Sequence, residues 1–354
     1  MKKLTSRQVC LLIETMLFSP AVRLFSAYLS DQGGKSGWIA PLLAGAVSAL
    51  FYLVLRPLLK TGKPYPALLR DAFGLPLSRV LLVFYTLWGT LLTALLLRYY
   101  AQRLTGTVYD SVDMTVFLLV LAGLCSLALS RGFETVARMN EIILPVILAV
   151  TVPMLVLLSR TVSAESLLPV KADASLVHVT VSCLASFGYG SLLLFFSDGI
   201  PEKKDLGRRY LLSFALISGL CCWLFLCVLG NLGPYLPAKV SYPFFAAVKE
   251  ISVGEFLQHI EALTVTLWIL SDFIAAAVLG EATLKTLAAL VNERDHRSPA
   301  AAFFLLCAAL ALLLGRTGQE LEQLSERFFI PANLVMLYGF PALTCLVLKM
   351  KKAA

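Results

Sequence analysis

Charge is what this chain has least of. Asp, Glu, Lys and Arg make up 15% of its 354 residues while 58% are hydrophobic, against about 25% charged in an ordinary soluble domain. That scarcity excludes a water-exposed globular surface and equally excludes a disordered chain. Histidine is rarer still, with three residues in all. The eight cysteines lie mostly inside apolar runs and contain no Cys-x-x-Cys pair, so a structural zinc site has no ligand spacing to support it. They read as small apolar packing residues. Gly188-Tyr189-Gly190 is the nearest approach to a nucleotide loop, but a third glycine and a preceding strand are both missing. With no Ser/His pair inside the apolar runs either, no enzyme, catalytic residue, metal or cofactor is expected. A net charge of +8 would raise nucleic acid as a partner for a soluble protein. Here the basic residues are scattered through short links, so no nucleic-acid partner is expected.

What is present is apolar sequence in lengths matched to a lipid bilayer, where about 20 helical residues cross about 30 Å of hydrocarbon. Such runs fall near 8–29, 38–59, 78–101, 113–130, 136–158, 176–197, 210–230, 260–282, 300–315 and 328–348. Ten spans leave no room for a soluble catalytic domain, and the chain reads as one polytopic all-α membrane domain over 1–354. The first run lacks a compact apolar core followed by a cleavage site, so it is kept as a helix rather than a signal peptide. An even number of spans puts both termini on one side. The links of that side carry 20 Lys and Arg residues and the opposite links nine, which predicts that both termini are cytoplasmic. The longest opposite-side connection, from Leu232 to Gln258, is predicted to hold a proline-bounded amphipathic helix.

Two spans contain helix breakers in their interiors. Span one has Ser19-Pro20, and a proline there removes a hydrogen bond and leaves carbonyls that lipid cannot satisfy. Span six has Gly188-Tyr189-Gly190, each glycine lowering helix propensity by about 1 kcal/mol. These are the first members of two five-span halves, about 8–158 and 176–348. Interrupted helices at corresponding positions point to a transporter-type site at the membrane midplane, although proline and glycine also serve plain packing in membrane helices.

Three ionisable residues lie well inside spans, away from their ends: Glu14 and Arg23 in the first and Asp272 in the eighth. A charge at the bilayer centre costs at least about 2.5 kcal/mol. Glu14 and Arg23 are separated by about 13 Å along a continuous helix and point to opposite faces, so each either snorkels to an interface or needs another partner. Arg23 with Asp272 is the expected pair. Tyr85 and Trp88 in span three are either pocket walls or packing.

Three stretches together resemble the B-subunit family of spore germination receptors, within the amino acid/polyamine/organocation transporter superfamily. They are Leu4-Thr5-Ser6-Arg7-Gln8; Arg131-Gly132-Phe133-Glu134-Thr135-Val136-Ala137-Arg138-Met139-Asn140-Glu141 followed by Leu144-Pro145; and Tyr242-Pro243 with Ile251, Phe256, His259-Ile260-Glu261-Ala262-Leu263 and Trp268. Read from residues alone, the second is a helix start in which Glu134 and Arg138, then Arg138 and Glu141, are spaced to pair. The resemblance covers the whole chain. It departs from the wider superfamily in having Ser19-Pro20 where the unwound first helix tends to carry glycine, and His259 where an arginine is expected.

The resemblance implies an inverted five-plus-five repeat with broken helices one and six, a LeuT-like transporter fold. It implies substrate held between those helices and lined by the third and eighth. Carried over by position, the ligand-binding candidates are Phe18, Ser19, Ala21, Trp88, Phe187, Gly188, Tyr189, Gly190, Trp268 and Asp272, with Glu14, Arg23 and Asp272 as coupled charges. It further implies a nutrient germinant receptor subunit of the spore inner membrane, binding a small germinant such as an amino acid and working with A-type and C-type subunits. A proton-coupled amino acid permease and a ligand-free membrane scaffold or conduit are the alternatives.

Overall fold

The computed structural model describes residues 4–20, 26–107, 111–171, 173–200, 205–240, 242–249, 260–293, 295–315 and 317–353. Every regular element among them is helical: α1 Ser6–Pro20, α2 Ser26–Gly33, α3 Ala40–Lys60, α4 Tyr65–Thr107, α5 Met114–Ser130, α6 Phe133–Leu158, α7 Ala174–Phe187, α8 Leu206–Leu232, α9 Pro243–Lys249, α10 Ile260–Val291, α11 Ala300–Leu313, α12 Gly318–Leu324, α13 Ile330–Leu334 and α14 Phe340–Ala353. Among the described residues seven helical stretches are long and apolar enough to cross a membrane, and α5 and α11 are shorter apolar helices. With α1 these occupy the ten apolar runs of the sequence. The protein is a multi-pass membrane protein, and large side chains such as Leu50, Leu53, Leu87 and Ile142 remain exposed on its outer surface, as lipid-facing positions require.

Helix starts follow local chemistry. The Thr5–Gln8 stretch is a capping box: Thr5 N donates to Gln8 Oε1 at 3.0 Å and Gln8 N to Thr5 Oγ1 at 3.1 Å. Asp113 and Asp173 cap α5 and α7 through Thr115 N and Leu176 N. Gly132, at φ 111°, turns the chain from α5 into α6.

The halves interleave, with α3 against α7 and α8, and α1 and α4 against α10. Both termini share one face. Leu4 N donates to Gly199 O at 2.8 Å, Lys63 meets Asp71 at 2.6 Å, and Lys351 Nζ donates to Asp71 O at 3.0 Å. On the opposite face Lys35 Nζ donates to the carbonyls of Glu165 and Leu168, each at 2.7 Å.

Several boundaries differ from those read in the sequence. Gly74, at φ 74° and ψ 177°, breaks α4, so the stretch before it is a separate helix on the terminal face. Beyond the expected end at 101, α4 continues to Thr107 and carries Arg103 into the protein. Likewise α10 runs to Val291 rather than 282, so Lys285 belongs to the helix and not to a link. The predicted amphipathic helix in the long connection is the short α9; 250–259, with Ile251, Phe256 and His259, lies outside the described residues. The last crossing passes through two π-helical turns, Ser325–Phe329 and Val335–Gly339.

Candidate functional site

The two expected breaks take different forms. In the first crossing, α1 ends at Pro20 and α2 begins at Ser26; Ala21, Arg23 and the side chain of Ser19 lie outside the described residues. In the sixth, α7 stops at Phe187 and the chain continues as a twelve-residue 3-10 helix, Gly188–Gly199. Runs of 3-10 helix beyond three or four residues are uncommon, because their hydrogen bonds are poorly aligned. This one persists because every residue of it except Asp198 is buried.

The glycines at its start are set by close approach. A Cβ on Gly188 would lie 2.8 Å from the Tyr338 ring and 2.9 Å from Leu337 Cβ; one on Gly190 would lie 2.6 Å from both the Phe214 ring and the Tyr210 hydroxyl. Glycine therefore serves packing as well as helix breaking here. Phe187 and Tyr189 flank Gly188 and are buried, as is Phe18 of α1.

The third and eighth crossings hold the other candidates. Trp88 Nε1 donates to Asn333 Oδ1 at 2.9 Å, and Tyr85, its neighbour one turn back, donates its hydroxyl to Met336 O at 2.6 Å. Both bonds go to the last crossing, the first to a side chain of its α-helical stretch Ile330–Leu334 and the second to a backbone carbonyl of its π-turn Val335–Gly339, where a shifted register frees acceptors. Trp268 and Asp272 lie together on α10, and the residue that joins them is Arg103. Its Nη2 is 3.1 Å from Asp272 Oδ2, both side chains being 2% exposed, and its guanidinium lies 4.9 Å from the Trp268 ring centroid. Tyr242 and Phe245 complete an aromatic cluster around Trp268 at 5.9 and 5.8 Å. The charge partner expected for Asp272 was Arg23; among the described residues it is Arg103, while Arg23 itself lies outside them. Arg103 escapes notice in the sequence because the apolar run ends two residues before it.

Glu14 is buried on α1 and accepts a hydrogen bond from Ser213 Oγ of α8. The neighbouring Thr15 donates to Asn140 Oδ1 at 2.7 Å, and Gln8 Nε2 to Glu141 Oε2 at 3.3 Å. Asn140 and Glu141 thus bind α6 to α1. The pairings expected within α6 are not formed: none of the ion pairs among the described residues involves Glu134, Arg138 or Glu141, and Glu141 turns to Gln8 instead of Arg138.

A further cluster closes the terminal face. Lys285 Nζ donates to Phe195 O at 3.0 Å and lies 3.4 Å from Asp198 Oδ1. It also sits 5.2 Å from the Phe196 ring centroid, and Phe133 stacks on Phe196 at 4.5 Å. The ammonium caps the carbonyl end of the 3-10 segment, where a cation is favoured. Glu281 and His296 lie beside it, 2.8 Å apart. The signal for this cluster is the Glu281–Lys285 spacing on one helical face, hidden by ending the span at 282.

The profile of the spore germination protein family matches residues 3–318. Spore germination protein KB of Bacillus subtilis (strain 168) is 23% identical over 277 residues, 75% of this chain and 73% of that protein. Spore germination protein XB of Bacillus anthracis is 19% identical over 323 residues, 89% of each. Among solved structures, MhsT in complex with L-phenylalanine superposes with a TM-score of 0.68 at 12% identity, covering 98% of this chain and 89% of that one. A Na+-coupled sialic acid symporter in a substrate-bound outward-open state gives 0.65 at 12% identity, covering 94% and 78%. These likenesses show the fold, that of LeuT-like transporters.

Proposed function

The chain belongs to the spore germination protein family, and from that premise we propose that it is a nutrient germinant receptor subunit of the spore inner membrane. It binds a small germinant such as an amino acid between the first and sixth crossings and works with A-type and C-type subunits, with both termini in the cytoplasm. The observation that carries this reading is the change from α- to 3-10 helix at Phe187–Gly188. It lies in the crossing that corresponds, in the second half, to the Ser19-Pro20 crossing of the first. A helix that changes type at mid-crossing has backbone groups less firmly committed to each other than an α-helix has. A zwitterionic ligand bound there by Phe187, Gly188, Tyr189 and Gly190, with Phe18, Ser19 and Ala21 opposite and Trp88, Trp268 and Asp272 behind, favours one arrangement of the helices. Partner subunits read the shift, which requires different affinities for the two arrangements. The similarity to KB and XB and the transporter fold support this reading.

The test is a thermal-stability panel of amino acids on the purified chain, followed by uptake of the stabilising one in proteoliposomes. Stabilisation by a particular amino acid without uptake by the chain alone is the expected result. Uptake by the chain alone overturns the receptor reading in favour of a proton-coupled permease, in which the buried Glu14 and Asp272 are the candidate carriers. No stabilisation across the panel overturns ligand binding and leaves a scaffold.

A further inference from the structure

The terminal half of α10 carries ionisable side chains that the ligand reading does not use. Glu281 is wholly buried, at 0% exposure, and its Oε1 lies 2.8 Å from His296 Nε2 in the link between α10 and α11. Its Oε2 is also buried and has no hydrogen-bond partner among the described residues. His296 is 15% exposed, so the imidazole connects a sealed carboxylate with the outside of the protein. One turn along the same helix, Lys285 holds Phe195 O and Asp198 at the end of the 3-10 segment.

The elements packed against α10, and the link that follows it, carry further charges. The link itself carries Glu293, Asp295 and Arg297, and Arg297 lies against Gly132 at the α5–α6 corner beside Arg131. Helix α6 carries Glu134, Arg138 and Glu141, α4 carries Arg70, Asp71, Arg79, Arg98 and Arg103, α1 carries Arg7 and Glu14, and α9 carries Lys249, while α11 has no charged residue. Of the carboxylates, Glu281 is the one at 0% exposure that is hydrogen-bonded to a histidine.

With one proton between them, this pair has two forms. Either the imidazolium Nε2–H donates to the carboxylate, or a carboxyl O–H on Oε1 donates to neutral Nε2, leaving Oε2 an uncharged carbonyl oxygen whose burial costs less. Loss of that proton leaves a buried carboxylate beside a neutral imidazole, with Lys285 the cation one turn away, at the i,i+4 spacing that lets Glu and Lys meet.

We propose that Glu281 and His296 form a proton-binding site, filled through His296 from the terminal face, whose state is passed by Lys285 to the end of the 3-10 segment. While the site holds its proton, Lys285 stays on Phe195 and Asp198 and the segment is held. When the proton leaves, the bare Glu281 carboxylate draws Lys285 back along α10 and the segment is released.

The experiment needs no germinant, so its failure leaves the ligand reading untouched. Hydrogen–deuterium exchange of 188–199 is followed in the full chain in nanodiscs across about pH 5–9, corrected for intrinsic rates, spanning the range in which histidine changes charge. Infrared spectra of the same samples read carboxyl protonation. Protection is expected at the acid end and lost as pH rises, with a carboxyl band disappearing in parallel. In Glu281→Gln the band is absent and protection persists throughout. In His296→Gln, a change on the partly exposed link, the midpoint moves by about one pH unit or more. Protection independent of pH in the unaltered chain, or pH dependence that survives Glu281→Gln, overturns the proposal.

Discussion

Helix α10 holds charge in two places and treats it in opposite ways. At Asp272 the partner Arg103 is as deeply buried as the carboxylate, at 2% each, and a tryptophan ring covers the guanidinium. Nine and thirteen residues further on, Glu281 and Lys285 are buried, but their partners are not sealed: His296 is 15% and Asp198 32% exposed. Two charges removed together from water are held by each other, because neither can be resolvated without opening the protein. A buried charge with a partly wet partner has a route for protons and for water. The first arrangement fixes α4 to α10, and the second leaves the terminal face adjustable.

The sealed pair should yield the largest effect. Arg103→Met or Asp272→Leu alone strands a buried charge and is expected to cost about 3–5 kcal/mol, read as a large loss of thermal stability in detergent. The double variant should cost less than the worse single one; additive losses in that cycle would show that the two residues act independently. Asp198→Asn removes the wet half of a pair whose ammonium retains Phe195 O, so a loss of about 1 kcal/mol is expected. That loss should shrink in high salt, whereas the Asp272 effect should not. Smallest of all is the terminal-face pair Lys63–Asp71, with both side chains well exposed. Lys63→Ala should change stability by at most about 1 kcal/mol, and a larger loss would mean that exposure is a poor guide to which pairs bear stability.

How much of this was legible in the sequence depends on whether its cause is local. The ten apolar runs were, because each crossing must satisfy its own backbone in lipid, and so was the need of Asp272 for a partner. The identity of that partner was not, since Arg103 sits just past the apolar run on α4 and only the packing of α4 on α10 brings it inward. The Thr5–Gln8 capping box is a local pattern and could have been read as one. Gly188 and Gly190 announced a departure from α-helix, but not that twelve residues would remain helical in a tighter form; that depends on the burial of the segment and on neighbours such as Phe214, Tyr210 and Tyr338 at its two glycines. The π-turns of the last crossing, set beside Trp88 and Tyr85, are equally a product of neighbours.

The 3-10 segment also has a mechanical meaning. Its twelve residues rise about 2.0 Å each, against about 1.5 Å in an α-helix. Wound as α-helix it would be about 6 Å shorter and would fall short of Leu4, Lys63 and Lys285, which grip its far end. The sixth crossing is thus a stretched rod pinned at the terminal face, and a change of winding begun at Gly188 arrives at Gly199 as a pull along the segment's own axis, with no loop or hinge between.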